Sequence, residues 1–231
     1  MIKKIYAILF IVSVFVSAAL AQKPMDLGLS VRWADRNVGA DSPEQYGYYL
    51  AWGEVKPKRY YGEYSGYKHF DVTKFHKYNY RNFIGSKRDS LLQLEPKDDA
   101  ATVRLGKKWR MPTETEVREL ISKCRFKKVK YRGANVYKVW NPTYSESDTI
   151  YIPCCGYKDY GNYRFSAAIA AYCWTSTLIG DEIRNDSIMQ VNGSSYVYNA
   201  KCLMISGESS ASVGFWKRRN GCIVRAVSTG K

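Results

Sequence analysis

The order of helix and strand signatures along the chain constrains its fold more than any other feature. Both helix signatures lie in the first half, at residues 96–106 and 113–124, whereas strand-like runs occur near both ends and through most of the second half. A parallel α/β fold would instead alternate the two kinds of element. We therefore expect one α+β domain, with two helices packed on small antiparallel sheets and with the first and last strands paired.

The second helix signature is the more complete of the two. Thr113 and Glu116 have the spacing of a capping box, in which each side chain accepts a hydrogen bond from the other residue's backbone N–H. The apolar residues that follow recur along one helical face: Val117, Leu120, Ile121 and Cys124. The first signature has Pro96 and acidic residues in its first turn, and Gly106 as its stop.

Alternating or short apolar runs predict the strands. The first of them places Leu27, Leu29, Val31 and Trp33 on one face and polar or small residues on the other. The predicted strands cover residues 27–33, 46–53, 137–140, 149–155, 172–177, 188–191, 196–198, 202–205 and 222–227. Residues 56–88 interleave basic and aromatic side chains without such a period, as a platform for single-stranded nucleic acid would. We expect instead a long surface loop that lies across the domain, because the chain is exported.

The first 21 residues have the pattern of a secretory signal peptide. Lys3 and Lys4 precede an apolar run over residues 5–16, and small residues lead to a cleavage point after Ala21. We expect residues 22–231 to be the exported domain, in the periplasm, on the cell surface or secreted. A membrane span needs about 20 apolar residues, so neither this run nor any later stretch predicts one.

The charge of the chain favours anionic partners. Lys and Arg number 36 against 21 Asp and Glu, which gives a net charge of +15. Such a charge attracts polyanions. Export argues against nucleic acid and points to a glycan or another anionic surface polymer, with a simple role in solubility as the alternative.

The sequence offers little for catalysis. Its two histidines are His69 and His76, and with Asp71 they form only an irregular set of metal-binding side chains. The chain has no His-Glu-x-x-His, no Gly-x-Ser-x-Gly and no phosphate-binding glycine loop. We predict no catalytic residue, no metal and no cofactor.

Five strings of residues occur in order along the chain. They are Asp26-Leu-Gly-Leu-Ser-Val-Arg-Trp-Ala34, Asn37-Val-Gly-Ala40, Ala51-Trp-Gly-Glu54, Trp109-Arg-Met-Pro-Thr113 and Trp174-Thr-Ser176. They resemble the Fibrobacter succinogenes major paralogous domain family of exported bacterial proteins. The resemblance implies a C-type-lectin-like fold, shared with sulfatase-modifying enzymes. It also implies core positions for Trp33, Trp52, Trp109 and Trp174, and buried hydrogen bonds for Arg110 and Arg225.

The resemblance does not extend to enzyme or calcium chemistry. Sulfatase-modifying enzymes use a close pair of cysteines near the C-terminal end, whereas Cys202 and Cys222 are well separated here. The calcium signatures Glu-Pro-Asn and Trp-Asn-Asp of lectins are absent. We therefore expect a non-catalytic binding or surface module. An enzyme of the sulfatase-modifying type and a purely structural envelope protein are the alternatives.

Six cysteines in an exported protein predict at least one disulfide. Cys154 and Cys173, on neighbouring predicted strands, are one candidate pair. The competing interpretation is that the cysteines are small buried core residues, since Cys154 and Cys155 stand where the family usually has small residues.

The resemblance also implies where a ligand would bind. In the C-type-lectin-like fold, the loops of the second half form the recognition face. Two such segments combine aromatic rings with positive charge: Trp216, Lys217, Arg218 and Arg219 in one, and Tyr160, Tyr163 and Arg164 in the other. The alternative for the first segment is that Trp216 packs on the core and the charges keep an edge strand soluble.

Overall fold

The computed structural model describes residues 21–64, 66–71, 74–79, 88–179 and 198–228. Within these ranges the chain forms an α+β fold of small antiparallel sheets and two helices, as predicted. Helix α1 spans Ala100–Leu105 and helix α2 spans Glu114–Lys123. The predicted signal peptide, except Ala21, and the predicted strands at 188–191 and 196–197 lie outside the described residues.

The strands of the described ranges are between two and nine residues long and fall into five antiparallel groups. They are β1 (Pro24–Met25), β2 (Arg32–Ala34), β3 (Phe70–Asp71), β4 (Lys74–Phe75), β5 (Trp109–Arg110), β6 (Arg125–Tyr131), β7 (Ala134–Trp140), β8 (Ile150–Pro153), β9 (Tyr157–Asp159), β10 (Tyr163–Phe165), β11 (Ala170–Leu178), β12 (Asn199–Ser206), β13 (Ser210–Lys217) and β14 (Val227–Ser228). Their orders are β1-β2-β14-β5, β6-β7-β8 and β11-β12-β13, with β3-β4 and β9-β10 as two-stranded hairpins.

The two ends of the described chain meet in one sheet, as predicted. Trp33 on β2 lies opposite Val227 on β14. Beside this pair, the fully buried Arg225 donates to the carbonyls of Ala34 (2.9 Å) and Tyr151 (2.6 Å) and to the side chain of Asn37 (2.8 Å). Burial lowers the pKa of Arg225 to about 10. The guanidinium therefore joins β2, β8 and the chain just before β14 by bonds to uncharged groups.

Helix α2 begins as its sequence predicts. Thr113 Oγ1 accepts from the backbone N–H of Glu116, and Glu116 Oε2 accepts from that of Thr113 at 2.8 Å. Arg110 binds the Glu116 carboxylate with both terminal nitrogens, at 2.8 and 2.5 Å. Helix α1 is shorter than predicted. Its N-cap is Asp99, whose carboxylate accepts from the Thr102 N–H, so Pro96 belongs to the turn before the helix.

Several strand predictions were wrong. Residues 46–53 form no strand, because Gly47 and Gly53 take φ values of 71° and 76°, and only Leu50 makes a ladder contact, with Cys222. The first predicted strand is regular only over β2. Leu27, Val31 and Trp33 are buried as expected, whereas Leu29 is partly buried. Strands β6, β9 and β10 were not predicted, because charged or tyrosine side chains interrupt their apolar pattern. The two-residue strands β1, β3, β4 and β5 and the longer β13 were not predicted either.

The expected disulfide is absent. All six cysteines are free thiols and all are buried. Cys173 on β11 lies opposite Leu203 on β12, not opposite another cysteine. The cysteines serve as small core residues, which is the competing interpretation of the sequence. Trp33, Trp52 and Trp174 are fully buried and Trp109 is 9% exposed, so all four tryptophans hold the core positions that were expected.

No helix among the described residues is long and apolar enough to cross a membrane.

Candidate binding surface

The β9–β10 hairpin presents a strained tyrosine at its tip. Tyr160 has φ 45° and Gly161 has φ 84°. A bulky residue in the left-handed region costs roughly 1–2 kcal/mol. The tip is held by Asp159, whose carboxylate accepts from the Tyr160 N–H (2.9 Å) and from the side chain of the buried Asn220 (3.2 Å). Such strain is characteristic of functional positions that the surrounding structure holds in place.

A distant segment docks against this tip. Tyr61 and Gly161 exchange two backbone hydrogen bonds, each 2.7 Å long. Gly62 follows with φ 98°, and a Cβ at this position would lie 2.4 Å from Asp159 Oδ1 and 2.5 Å from the Tyr160 nitrogen. Only glycine permits this approach. As a result, the ring of Tyr60 lies beside Gly161.

The docked segment and the hairpin together expose three tyrosine rings. Tyr60, Tyr160 and Tyr163 are 65%, 77% and 68% exposed, and we call this group the tyrosine face. The Arg59 guanidinium lies 5.6 Å from the centre of the Tyr60 ring. Among the described residues, Arg59 makes no ion pair with a carboxylate.

Arg164 flanks the tyrosine face rather than joining it. Neighbouring residues on a strand point to opposite sides, so Arg164 points away from Tyr163. Its guanidinium lies 5.4 Å from the centre of the Tyr46 ring. Lys158, opposite Arg164 in the hairpin, lies 4.9 Å from the Tyr49 ring. The predicted segment thus combines aromatic and cationic groups, but on two sides of the hairpin.

Trp216 supports this surface from below. Tyr163 contacts Phe165 at 5.1 Å between ring centres, and Phe165 stacks on Tyr157 at 5.4 Å. Tyr157 in turn meets the Trp216 ring edge-on at 4.7 Å. Trp216 is partly buried in this aromatic stack, so the alternative interpretation, packing on the core, describes it better than an exposed ligand platform does.

The basic residues after Trp216 do not form a continuous exposed patch, because Arg218 among them is buried. Strand β13 ends at Lys217, which is half-buried, and the Arg218 N–H then donates to the Tyr198 carbonyl. The Arg218 side chain is 2% exposed. Its guanidinium donates to the Tyr78 carbonyl at 2.9 Å and lies 4.3 Å from the centre of the Phe75 ring.

Arg219, also half-buried, lies 5.1 Å from the ring of Tyr64. Aromatic faces therefore take up both arginine side chains, because a guanidinium is attracted to the electron-rich face of a ring. The positive charge of these two arginines predicted exposure, so the sequence did not indicate that their side chains are wholly or partly buried.

A cavity of about 360 Å³ lies elsewhere, lined by Lys68, His69, His76, Lys77, Lys97 and Asp98. Asp98 is 1% exposed and accepts from Lys68, Lys77 and Tyr78. Burial alone would raise the pKa of Asp98, but these three hydrogen bonds outweigh it and hold the pKa well below its usual range.

The buried histidine of this cavity also has a structural contact. His69 Nε2 lies 3.0 Å from the Gly53 carbonyl oxygen, and burial lowers the pKa of His69 to about 4. At neutral pH the cavity therefore holds an ionised carboxylate neutralised by two lysines beside an uncharged imidazole. The described residues contain no group of three or more metal-binding side chains.

Comparison with protein-family models, curated proteins and solved structures finds no match to this chain. The basis for inferring function is therefore the surface itself.

Proposed function

We propose that this protein is an exported, non-catalytic binding module of the Fibrobacter succinogenes major paralogous domain type, with a C-type-lectin-like fold. Its tyrosine face recognises a glycan or a similar surface polymer. The observation that carries the proposal is the exposure of Tyr60, Tyr160 and Tyr163 at one fixed place, 65%, 77% and 68% respectively.

The chemistry of the tyrosine face suits a polyhydroxylated ligand. A tyrosine ring offers a flat apolar face for the C–H groups of a sugar, and its hydroxyl both donates and accepts hydrogen bonds. The side chain has few rotatable bonds, so little conformational entropy is lost when it is held by a ligand. The hairpin and the docked Gly62 segment hold the backbone of the face in place before any ligand arrives, which also favours affinity.

Positive charge around the tyrosine face favours an acidic ligand over a neutral one. Arg59 lies beside Tyr60, and Arg164 and Lys158 lie on the other side of the same hairpin. The chain as a whole carries a net charge of +15, which would draw acidic polymers towards it.

The placement of the reactive side chains supports a non-catalytic role. Cys202 and Cys222 are fully buried, and burial raises the pKa of both thiols well above the ordinary value. A thiol reacts as its thiolate, so such cysteines are poor nucleophiles. Asp98 and His69 are held by buried hydrogen bonds in the cavity described above, which supports the same conclusion.

An array of neutral and acidic glycans tests the proposal. The wild type is compared with the double variant Tyr160→Ala, Tyr163→Ala and with Val103→Ser, which changes an exposed apolar residue on α1. We expect the wild type to bind at least one glycan, and the double variant to bind it at least about tenfold more weakly, as expected for removing aromatic anchors. Val103→Ser should bind like the wild type.

Two results would contradict the proposal. If the double tyrosine variant binds the same glycan as tightly as the wild type, the tyrosine face is not the site. If the wild type binds no glycan on the array, the structural envelope role becomes the better explanation.

A further inference from the structure

The sheet β6-β7-β8 has an outer face that takes no part in the proposed function. Its inner face packs into the core through Phe126, Tyr137, Val139, Ile150 and Ile152. Since side chains alternate along a strand, the residues between these point the other way. The outward residues that matter here are Arg125, Lys127, Tyr131, Lys138, Trp140 and Tyr151, and we call them the lysine face.

Two lysines stand directly opposite each other on the lysine face. Lys127 on the edge strand β6 pairs in register with Lys138 on the middle strand β7. Like charges at directly opposed positions of a sheet destabilise it. Among the described residues, no carboxylate pairs with Lys127 or Lys138, and none pairs with Arg125, which lies nearby on β6. The pair is therefore an uncompensated concentration of positive charge.

Edge protection explains only part of this pattern. Lysines on an edge strand prevent unwanted pairing with another chain, which accounts for Lys127 and its neighbours on β6. Lys138 lies on the middle strand, paired on both sides, where no edge needs protection. Its presence opposite Lys127 calls for a different reason.

Aromatic rings flank the lysine pair. Lys138 Nζ lies 5.2 Å from the centre of the Trp140 ring, and Arg125 lies opposite Trp140 in the sheet. Beyond Lys138, Tyr131 and Tyr151 stack on each other with ring centres 4.1 Å apart and planes 14° apart. The face thus combines two lysines at opposed positions with partly exposed rings.

We propose that the lysine face is a second binding site, specific for an acidic polysaccharide. A carboxylate or sulfate group on the polymer lies between Lys127 and Lys138, and neighbouring sugar units extend along the sheet past Trp140. Bound anions remove the repulsion between the two lysines, so the free energy released on binding includes the relief of that repulsion.

Two features favour a polysaccharide over other polyanions. A lipid surface is best bound by apolar side chains that enter the bilayer. The large apolar side chains that are exposed, Tyr60, Val103, Tyr160, Tyr163, Ile169 and Phe215, all lie outside this sheet. Single-stranded nucleic acid needs rings free for its bases to stack on. Here Tyr131 and Tyr151 already stack on each other, and a lysine lies over Trp140.

Matched double variants test the site. The probes are polygalacturonate for carboxylate, dextran sulfate for sulfate, and dextran as the neutral polymer. We expect the wild type to bind at least one acidic polymer but not dextran, and Lys127→Gln, Lys138→Gln to bind it about tenfold more weakly. The control Lys107→Gln, Lys108→Gln removes the same charge from the exposed loop after α1 and should stay within about twofold of the wild type.

A second measurement separates binding from folding. The free Lys127→Gln, Lys138→Gln variant should be as stable to urea as the wild type, or more stable, because like-charge repulsion is removed. Both double variants are tested on the same acidic polymer. A loss in the lysine variant alone assigns the binding to the lysine face, and a loss in Tyr160→Ala, Tyr163→Ala alone assigns it to the tyrosine face, so failure of one site is distinguishable from failure of the other.

The proposal is overturned if both lysine double variants bind the acidic polymers equally well, since bulk charge would then be sufficient. Tighter binding to an oligothymidylate or to phosphatidylglycerol-containing vesicles than to the acidic polymers would overturn the ligand class. Absence of binding to either acidic polymer would overturn the site itself.

Discussion

Tyr60 and Tyr61 are neighbours in the chain with opposite surroundings. Tyr61 is 1% exposed, and its hydroxyl donates to the Tyr49 carbonyl at 2.5 Å and accepts from the Lys58 N–H at 3.2 Å. Tyr60 is 65% exposed and its ring lies beside Gly161. The bridge between Tyr61 and Gly161 turns one ring inwards and leaves the other at the surface. One residue type therefore serves the fold at one position and is available to a ligand at the next.

The buried tyrosines connect distant segments of the chain. Their hydroxyls donate to backbone carbonyls of distant segments, so each ring packs in the core while its polar end ties two parts of the chain together. These bonds run from Tyr49 to Cys155 (2.6 Å), from Tyr67 to Trp52 (2.6 Å) and from Tyr137 to Ile169 (2.9 Å). Many strands here span only two or three residues, and these bonds add further connections between distant segments.

Truncation of the two neighbouring tyrosines should separate the roles most strongly. Tyr61→Ala removes a buried ring and leaves a cavity, and we expect it to lower the free energy of unfolding by about 3–5 kcal/mol. Tyr60→Ala should change it by less than about 0.5 kcal/mol, as is usual for exposed positions. Urea denaturation of both variants measures the difference. Equal losses would show that the exposed ring is also part of the fold.

The same comparison applies to two neighbouring arginines. Arg218→Met fills much of the buried space but leaves the Tyr78 carbonyl without its 2.9 Å donor, and we expect a loss of about 1–3 kcal/mol. Arg219→Met keeps most of the packing on Tyr64 and should lose less than about 1 kcal/mol. Thermal and urea unfolding of the pair would check this order. A larger loss at Arg219 would mean that it, not Arg218, anchors the turn after β13.

Alkaline pH should weaken the buried tyrosine network. Burial raises the pKa of Tyr61 from 10.0 to about 12, and burial likewise raises the pKa of Tyr78 to about 12. A phenol that holds its proton more tightly in the folded state stabilises the fold fully below pH 10, and that contribution is lost as the pH rises from about 10 to 12. Unfolding free energies measured between pH 8 and pH 11 should therefore fall above about pH 10.

Tyr61→Phe provides the control for this pH dependence. It removes one of the shifted phenols, so its unfolding free energy should fall less steeply over the same alkaline range. If the two slopes are equal, ionisation of Tyr61 is not coupled to unfolding.

The sequence revealed those parts of the fold that rest on local rules. Helix α2 follows from the capping box of Thr113 and Glu116 and from its apolar face, and the terminal pairing of β2 with β14 follows from strand signatures at both ends. The tryptophan core was implied by the family resemblance. Helix α2 and the terminal pairing depend on the spacing of residues, which a single sequence shows directly.

The remainder depends on contacts between distant segments. Residues 56–88 were expected to lie across the surface, yet Tyr61, Tyr67, Phe75 and Tyr78 within them are buried. A tyrosine side chain has an apolar ring and a polar hydroxyl, so composition does not predict whether it is buried or exposed.

The candidate site shows the same limit. Tyr160 and Tyr163 could be predicted, because they occur together in one segment. Tyr60 lies beside them only because its neighbour Tyr61 bridges to Gly161. In its own segment, only Gly62 could have indicated a close backbone approach, and no obvious turn accompanies that glycine. Arg218 was expected outside because charge normally marks the surface, and only the position of the Phe75 ring reveals its burial.

The triple variant Tyr60→Ala, Tyr160→Ala, Tyr163→Ala tests most directly whether the exposed tyrosines serve recognition and not the fold. Its urea unfolding and its binding to the glycan selected by the wild type would be measured on the same preparation. We expect the unfolding free energy to stay within about 1 kcal/mol of the wild type while binding is lost. A loss of several kcal/mol with binding unchanged in the folded fraction would contradict the division of roles.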